Sequence, residues 1–246
     1  MQAYSILANV YDELMDETPY EAWTNNIINY LRKYNVNDGI VADLGCGTGI
    51  VTKAMACAGY DMIGIDNSEE MLGIANEKSS DAPLHILYLL QDMTEFELYG
   101  TVRAIYSVCD SINYILEDAE LVKVFKLVKN YMEDDGVFIF DFNTIYKYRE
   151  IIGDSTIAEN REDCSFIWEN YFDEESGINE YDLTIFLKEG SVYSKHCETH
   201  FQRGYSVDKM ISLVEDAGLK VLEMSDVDNM EDITNVSERV YFVVGK

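Results

Sequence analysis

The chain is poor in basic residues. Its 246 residues include 18 lysines and arginines against 46 aspartates and glutamates, which gives a formal net charge of -28 at pH 7. A protein of this charge is repelled by the phosphate backbone, and no cluster of lysines or arginines offers a local exception. The composition therefore disfavours a nucleic acid as substrate or partner.

Long apolar runs are also missing. No stretch approaches the ~20 apolar residues of a membrane-spanning helix. The first residues, "MQAYSILANVYDELMDE", are too acidic for a signal peptide. We therefore expect no membrane partner. Hydrophobic residues still make up 48% of the chain, enough for a complete core, so the length and composition predict one large domain or a domain with an insertion.

Cysteine and proline are scarce as well. The five cysteines are scattered, odd in number and never spaced as C-x-x-C. This pattern predicts reduced thiols in a cytoplasmic protein rather than a disulfide framework or a zinc site. The two prolines are Pro19 and Pro83. Pro19 follows Thr18, which predicts a helix capped by Thr18 with Pro19 in its first position.

From residue 39 to residue 143, buried strands alternate with helices. The five strands are predicted at "GIVADLG", "YDMIGID", "LHILYLLQD", "VRAIYSVCD" and "GVFIFDFN". A helix follows each of the first two strands, the second of them capped by Ser68, and the amphipathic helix "AELVKVFKLVKNYM" precedes the fifth strand. This alternation predicts an α/β fold, in which a parallel sheet carries helices on both faces.

After Asn143 the pattern changes. Three strand-like runs, "CSFIWENYFD", "INEYDLTIFLKE" and "SVYSKHCETHFQRGY", are joined by the turns "EESG" and "EGS". These features predict an antiparallel β-meander. A serine-capped helix and two strands then close the chain. We therefore expect a core of residues 1–145 and 205–246, and an inserted β-meander of residues 146–204 that serves as a lid or as the surface of a homo-oligomer.

Three glycines follow the first strand in "VADLGCGTGI", at positions 45, 47 and 49. Glycine costs backbone entropy and packs nothing there, so we expect a ligand to touch the main chain. Ligands of open parallel sheets bind at the carboxyl ends of the strands, where the next helix begins. The spacing is G-x-G-x-G, and Ile50 stands where the G-x-G-x-x-G turn of a dinucleotide fold would have its third glycine.

Three acidic residues suggest which ligand it is. Asp66 ends the second strand, where a carboxylate can accept both hydroxyls of a ribose. Asp92 follows the third strand, at the height of an adenine, with Met93 available against the ring. Asp43 places a negative charge beside the glycine turn, which repels a pyrophosphate and attracts a sulfonium. The pattern therefore favours S-adenosylmethionine over NAD.

In this order and spacing, "VADLGCGTG", "GIDNSEEML", "LQDMTEF" and "IYSVCDSINYI" resemble the class I S-adenosylmethionine-dependent methyltransferases. The match covers roughly the first 145 residues with the closing helix and two strands, and the members that the chain looks most like are glycine N-methyltransferases and sugar N,N-dimethyltransferases. The resemblance implies a Rossmann-like sheet of strand order 3-2-1-4-5-7-6. The cofactor-binding residues it implies are Tyr11, Trp23, Asp43, Gly45, Cys46, Gly47, Asp66, Asn67, Met71, Asp92, Met93 and Cys109.

The acceptor is predicted to bind just beyond the fourth strand. Candidates there are Asp110, Asn113 and Tyr114, with His200 from the insertion. No catalytic residue is assigned, because a sulfonium is already an activated donor. "CDSINY" lacks the N/D-P-P-Y/F motif of nucleic-acid amino methyltransferases. We therefore expect methyl transfer, by in-line displacement, to a small-molecule nitrogen or oxygen.

Two alternatives remain open. One is methylation of a macromolecule such as tRNA, which the charge disfavours. The other is a protein that binds the cofactor, or a carboxylated derivative of it, without methyl transfer. In "HCETH", residues 196, 198 and 200 share one face of a strand, and we interpret them as a pocket-facing or solvent-facing surface rather than a metal site.

Overall fold

The computed structural model describes residues 7–80 and 84–246, so the predictions for residues 1–6 lie outside the described residues. Its strands are β1 (Ile40–Leu44), β2 (Asp61–Asp66), β3 (Ile86–Leu90), β4 (Val102–Ser107), β5 (Met132–Asn143), β6 (Thr156–Asn160), β7 (Cys164–Asp173), β8 (Ile178–Glu189), β9 (Val192–Arg203), β10 (Lys220–Asp226) and β11 (Arg239–Gly245).

The large sheet has the order β10-β11-β5-β4-β1-β2-β3. Strands β1 to β5 run parallel, and β11 lies antiparallel between β5 and β10. Counted along this sheet alone, β10 and β11 are its sixth and seventh strands. The predicted order 3-2-1-4-5-7-6 is therefore confirmed.

Six helices accompany the sheets: α1 (Tyr11–Leu14), α2 (Tyr20–Lys33), α3 (Ile50–Cys57), α4 (Glu69–Ser79), α5 (Asp118–Tyr131) and α6 (Val207–Asp216). Alternation along β5 sends Phe138, Phe140 and Phe142 into a core beneath α5 and α6. The alternate side chains of the same strand, Val137 and Ile139, enter a second core beneath α2 and α3. A strand buried on both faces explains the continuous apolar run in the sequence.

Two of the three predicted helix caps are present. Ser68 and Ser206 each accept a hydrogen bond from a backbone N–H three residues on, at 3.2 Å. The Thr18 cap was wrong. Helix α2 begins at Tyr20, which puts Pro19 in the capping position with no side-chain acceptor.

The insertion forms a separate antiparallel sheet, β6-β7-β8-β9. Three of its strands were predicted, and the edge strand β6 was missed. All five residues of β6 are exposed, so no alternation of apolar and polar residues marks it in the sequence. Within the described ranges, no helix is long and apolar enough to cross a bilayer.

Asn113 joins the two sheets. It lies in the short 3₁₀ turn Ser111–Tyr114 and is fully buried. Its side-chain oxygen accepts from Asn143 N at 2.8 Å, and its nitrogen donates to Asn143 O at 2.9 Å and to Arg203 O at 2.7 Å. The ends of β5 and β9 are thus bonded to one side chain beside the carboxyl edge of the large sheet.

We expect Asn113→Ala to lower the free energy of unfolding by about 3 kcal/mol, because it leaves three backbone groups without their partner. Urea unfolding followed by circular dichroism measures the change. Asn160→Ala, on the exposed strand β6, is the control and is expected to change stability by less than about 0.5 kcal/mol. Equal stability of the two variants would contradict the linking role.

Candidate active site

Two glycines of the loop after β1 serve different purposes. Gly45 has φ +79°, and a Cβ there would lie 2.7 Å from Ser111 Oγ, so the loop packs directly against the turn after β4. Gly47 has φ +53°, and a Cβ there would meet nothing within 4 Å. The first glycine serves close packing. The second leaves the peptide open towards a cavity, as the ligand hypothesis requires.

Asp66 fixes the loop to the tip of β2. Its Oδ2 accepts from Gly47 N at 2.8 Å, and its Oδ1 accepts from Ser68 N at 2.9 Å. Burial raises the pKa of Asp66, while these backbone hydrogen bonds act in the opposite direction. Each carboxylate oxygen accepts more than one hydrogen bond. The backbone bonds therefore orient Asp66 and leave capacity on both oxygens for a diol.

Asp43 is almost completely buried at 2% exposure. Thr52 Oγ1 and Tyr106 Oη both donate to its Oδ2, at 2.5 and 2.9 Å. Burial raises the pKa of Asp43 to about 7, against the lowering effect of the two hydrogen bonds. A cation placed beside Asp43 favours the ionised form, so its binding displaces the proton.

The N-terminal segment covers the cavity. Tyr11 of α1 and Tyr20 of α2 both line it. Asp12 holds α1 to the glycine loop, because its Oδ1 accepts from Thr48 Oγ1 at 2.5 Å and its carboxylate pairs with Lys78 of α4. The cover is therefore bonded to the loop that it encloses.

Most of the predicted residues surround this one cavity. Those that line it are Tyr11, Asp43, Gly45, Cys46, Gly47, Asp66, Asn67, Met71, Met93, Cys109 and Tyr114. The lining residues that the predicted set lacks include Tyr20, Thr48, Ile50, Val51, Ile65, Gln91, Val108 and Ser111. The apolar members carry no signal beyond their place at strand and helix ends. Gln91 stands one residue before the aspartate that the sequence suggested.

Five predicted residues are not among the lining residues. Trp23 is buried instead against Tyr20 and beneath Arg239, whose guanidinium carbon is 5.0 Å from the ring centroid. The carboxylate of Asp92 accepts from the backbone and the hydroxyl of Thr94, both at 2.7 Å. Asn113 links the sheets.

The other two, Asp110 and His200, belong to buried polar clusters that adjoin the cavity. Asp110 pairs with Arg239. His200 is 2% exposed and lies on β9 with Glu198. Within residues 7–80 and 84–246, no group of three potential ligands is placed to hold a metal ion.

The end of β4 has an unusual backbone. Cys109 and Asp110 both have positive φ, at 62° and 52°. Asp141 on β5 stabilises them, because its carboxylate accepts from Cys109 N at 3.1 Å and from Asp110 N at 2.8 Å. Non-glycine residues in this conformation cost about 1–3 kcal/mol and cluster at functional sites.

Taken together, the sheet order, the open glycine loop and the carboxylate at the tip of β2 define a Rossmann-like nucleoside site of the methyltransferase type. Comparison with known proteins agrees. A family model described as a methyltransferase domain matches residues 41–136. The chain is 34% identical over 245 residues to a Geobacillus sp. protein named "Putative methyltransferase", covering 99% of each.

Solved structures extend the match. An S-adenosylmethionine-dependent methyltransferase from Clostridium acetobutylicum superimposes with a TM-score of 0.89, at 28% identity and 99% coverage of each chain. The chain therefore belongs to the class I S-adenosylmethionine-dependent methyltransferases, and S-adenosylmethionine is its cofactor. A dTDP-amino-sugar N,N-dimethyltransferase of Streptomyces venezuelae is 28% identical over 136 residues, which cover 54% of this chain and 56% of that protein.

The raised pKa of Asp43 predicts a stability change with a definite sign. A carboxyl group whose folded pKa is raised costs stability as pH increases from its ordinary value to about 7. Asp43→Asn avoids this cost. We expect its gain in unfolding free energy over the wild type to be about 2 kcal/mol larger at pH 8.0 than at pH 5.5.

Urea unfolding at the two pH values measures the difference, and Asp61→Asn, at the exposed start of β2, is the control. The same Asp43→Asn variant is expected to lose preference for the cationic S-adenosylmethionine over the neutral S-adenosylhomocysteine. An equal stability difference at both pH values would contradict this assignment.

Proposed function

We propose that the protein transfers the methyl group of S-adenosylmethionine to a small-molecule nitrogen or oxygen acceptor, which enters beside Tyr114. One observation carries the proposal: Asp66, the open peptide at Gly47 and Tyr114 line a single cavity. The cofactor, when bound, supplies a methyl group already activated by its sulfonium. Orienting the acceptor and excluding water can then supply about 7–11 kcal/mol of barrier lowering.

The lining residues support a consistent arrangement of the cofactor. Asp66 accepts the ribose hydroxyls, and Asp43 with the glycine loop faces the methionine part. Met93 packs against the adenine. We assign the polar contact at the end of β3 to Gln91 rather than Asp92, because Gln91 lines the cavity and Asp92 does not. The remaining contacts we propose come from Cys46, Asn67, Met71, Cys109 and the cover residue Tyr11.

The enclosure of the cavity supports a small acceptor. The cover packs on the inner face of the small sheet, where Leu7 joins Leu183 and Ile185 in an apolar cluster. The cover therefore lines the cavity through Tyr11 and is held against the insertion through Leu7. A macromolecular acceptor would need an open approach, and a charge of -28 opposes tRNA.

The charge of the lining restricts the acceptor further. Among the described residues, no lysine, arginine or histidine lines the cavity. A phosphate or carboxylate at the reacting end would therefore be unpaired, which also disfavours a carboxylated cofactor derivative. The relative that methylates an amino sugar supports a nitrogen acceptor.

We further propose a division into a cofactor-binding core, residues 1–145 and 205–246, and an insertion, residues 146–204, that acts as a lid. Its outer face exposes Tyr171 and Phe201, which lie on the two strands that flank Glu180. This exposed aromatic surface supports a role in homo-oligomerisation. The five free cysteines support a cytoplasmic location.

We expect Asp66→Ala to weaken the binding of both S-adenosylmethionine and S-adenosylhomocysteine more than tenfold, because it removes the hydrogen bonds to the ribose and frees the Gly47 loop. Isothermal titration calorimetry measures the dissociation constants. Asp61→Ala, at the other end of the same strand, is the matched control. A folded Asp66→Ala protein with unchanged affinity would refute the ribose role.

The transfer itself is tested without knowing the acceptor. The protein is incubated with methyl-labelled S-adenosylmethionine and the low-molecular-weight fraction of a cell extract, and products are identified by mass spectrometry. We expect one labelled small molecule to accumulate with S-adenosylhomocysteine. Cofactor binding with no labelled product would instead support a non-catalytic binding protein.

A further inference from the structure

Arg239 is the first residue of β11 and lies at the edge of the large sheet where the parallel strands end. Strand β11 runs antiparallel to β5, which places Arg239 opposite Asn143, the last residue of β5. The Arg239 side chain is 12% exposed and is not among the residues that line the cavity. A guanidinium keeps its charge at every physiological pH, so enclosing it is costly without carboxylate partners.

Two carboxylates accompany this guanidinium. Asp110 forms an ion pair with Arg239, and the other Asp110 oxygen accepts from Gln202 Nε2 at 2.6 Å. Asp141 is fully buried and accepts from the backbone N–H groups of Cys109 and Asp110. Burial raises the pKa of Asp141, and the positive charge of Arg239 opposes this rise. One guanidinium thus compensates two carboxylates, one in the turn after β4 and one bonded to that turn.

Lys147 is a second cation in this neighbourhood, and its contacts are different. Its Nζ is 3.3 Å from Asn143 Oδ1, which also accepts from Arg239 Nε at 3.0 Å. Burial lowers the pKa of Lys147, and the charge of Arg239 lowers it further. In the described ranges no ion pair joins Lys147 to a carboxylate, so the pairing with Asp110 depends on Arg239.

The turn that contains Asp110 forms one wall of the cavity. Val108, Cys109 and Ser111 all line the cavity, whereas Asp110 turns back to Arg239. Cys109 and Asp110 are both held at positive φ. Without a positive partner, the largely enclosed Asp110 carboxylate is costly unless it moves towards water. Such a movement displaces the neighbouring residues of the wall.

The same guanidinium also contacts helix α2. Its carbon lies 5.0 Å from the centroid of the Trp23 ring, within the range of a cation–π interaction. Trp23 packs edge-on against Tyr20, with 5.9 Å between the ring centroids, and Tyr20 lines the cavity. Arg239 therefore lies behind the cavity wall at two places, the turn after β4 and the start of α2.

We infer that Arg239 is a positioning residue for the cofactor, because its guanidinium fixes the turn after β4 and, through Trp23, the start of α2. It acts through Asp110 and Trp23 and not by contact with the cofactor. The inference rests on the proposed function, since it takes this cavity to be the cofactor site. Arg239 balances an enclosed charge, so a substitution that keeps the balance keeps the site.

Isothermal titration calorimetry with S-adenosylmethionine and S-adenosylhomocysteine tests this role. We expect Arg239→Met, which keeps a long side chain without the charge, to weaken the binding of both ligands about 30-fold, or about 2 kcal/mol. Arg239→Lys keeps the charge but not the planar fork, and is expected to weaken binding about fivefold. Both ligands lose affinity equally, because the change is one of position. A loss confined to one ligand would indicate a direct effect of charge and overturn the inference.

A charge-matched double variant separates positioning from simple packing. Asp110→Asn combined with Arg239→Met removes one charge of each sign and keeps an acceptor for Gln202. Asparagine adopts positive φ readily, and replacing both partners of an enclosed ion pair by neutral groups changes stability little in other proteins. We expect the double variant to bind both ligands within about threefold of the wild type. A double variant as weak as Arg239→Met alone overturns the inference, since lost packing then explains the result.

Arg103→Met is the matched control. Arg103 lies near the start of β4 and pairs with Glu133 and Asp135 at 3.0 and 2.8 Å, so it repeats the arrangement of one guanidinium and two carboxylates at the opposite end of the same strand. We expect its cofactor affinity to be unchanged. Urea unfolding followed by circular dichroism checks that each variant is folded. Arg239→Gln, which keeps an N–H donor for Asp110, replaces Arg239→Met if the latter does not fold, with an expected loss of about tenfold.

The outcomes separate the inference from the proposed function. Wild-type affinity in Arg239→Met, together with a loss in Asp66→Ala, overturns the inference and leaves the cavity as the cofactor site. Wild-type affinity in both variants overturns the placement of the cofactor in this cavity, and the inference with it. A loss in both variants, with rescue in the double variant, supports both.

Discussion

The hydrogen bond from Gly47 N to Asp66 is the constraint on which the site depends. It ties the loop after β1 to the tip of β2, at the point where two parallel strands end side by side. The loop can then present its bare peptide to a ligand without losing its position. The same carboxylate accepts from Ser68 N and so fixes the start of α4. One side chain thus positions both the loop after β1 and the start of α4.

Buried acidic side chains recur around this cavity, and each has different polar groups beside it. Asp43 has two hydroxyl donors, Asp141 has two backbone N–H groups from a strained segment, and Glu198 has one N–H and an imidazole. Burial raises the pKa of Asp43 and Asp141. These groups reduce the stability of the unliganded protein. Such arrangements persist where a cation must be attracted, because burying a carboxylate is otherwise costly.

The sequence was most informative where chemistry is tied to the ends of strands. The positions of Gly45, Gly47 and Asp66 follow from the pattern of a parallel sheet, because its carboxyl ends share one edge. The sequence was least informative where contacts depend on tertiary packing. The burial of Trp23 under Arg239 and the exposed strand β6 leave no periodic signal. The side chains of Tyr114 and His200 are 86 positions apart and meet only because the insertion folds back onto the turn after β4.

The cover over the cavity also determines how ligands exchange. Tyr11 and Tyr20 lie across the opening, and α1 is held there by Asp12 through Thr48 and Lys78. The side chains of Lys78 and Asp12 are 29% and 34% exposed, so dissolved ions screen their attraction. The attachment of α1 to α4 through this ion pair is therefore weaker at high ionic strength.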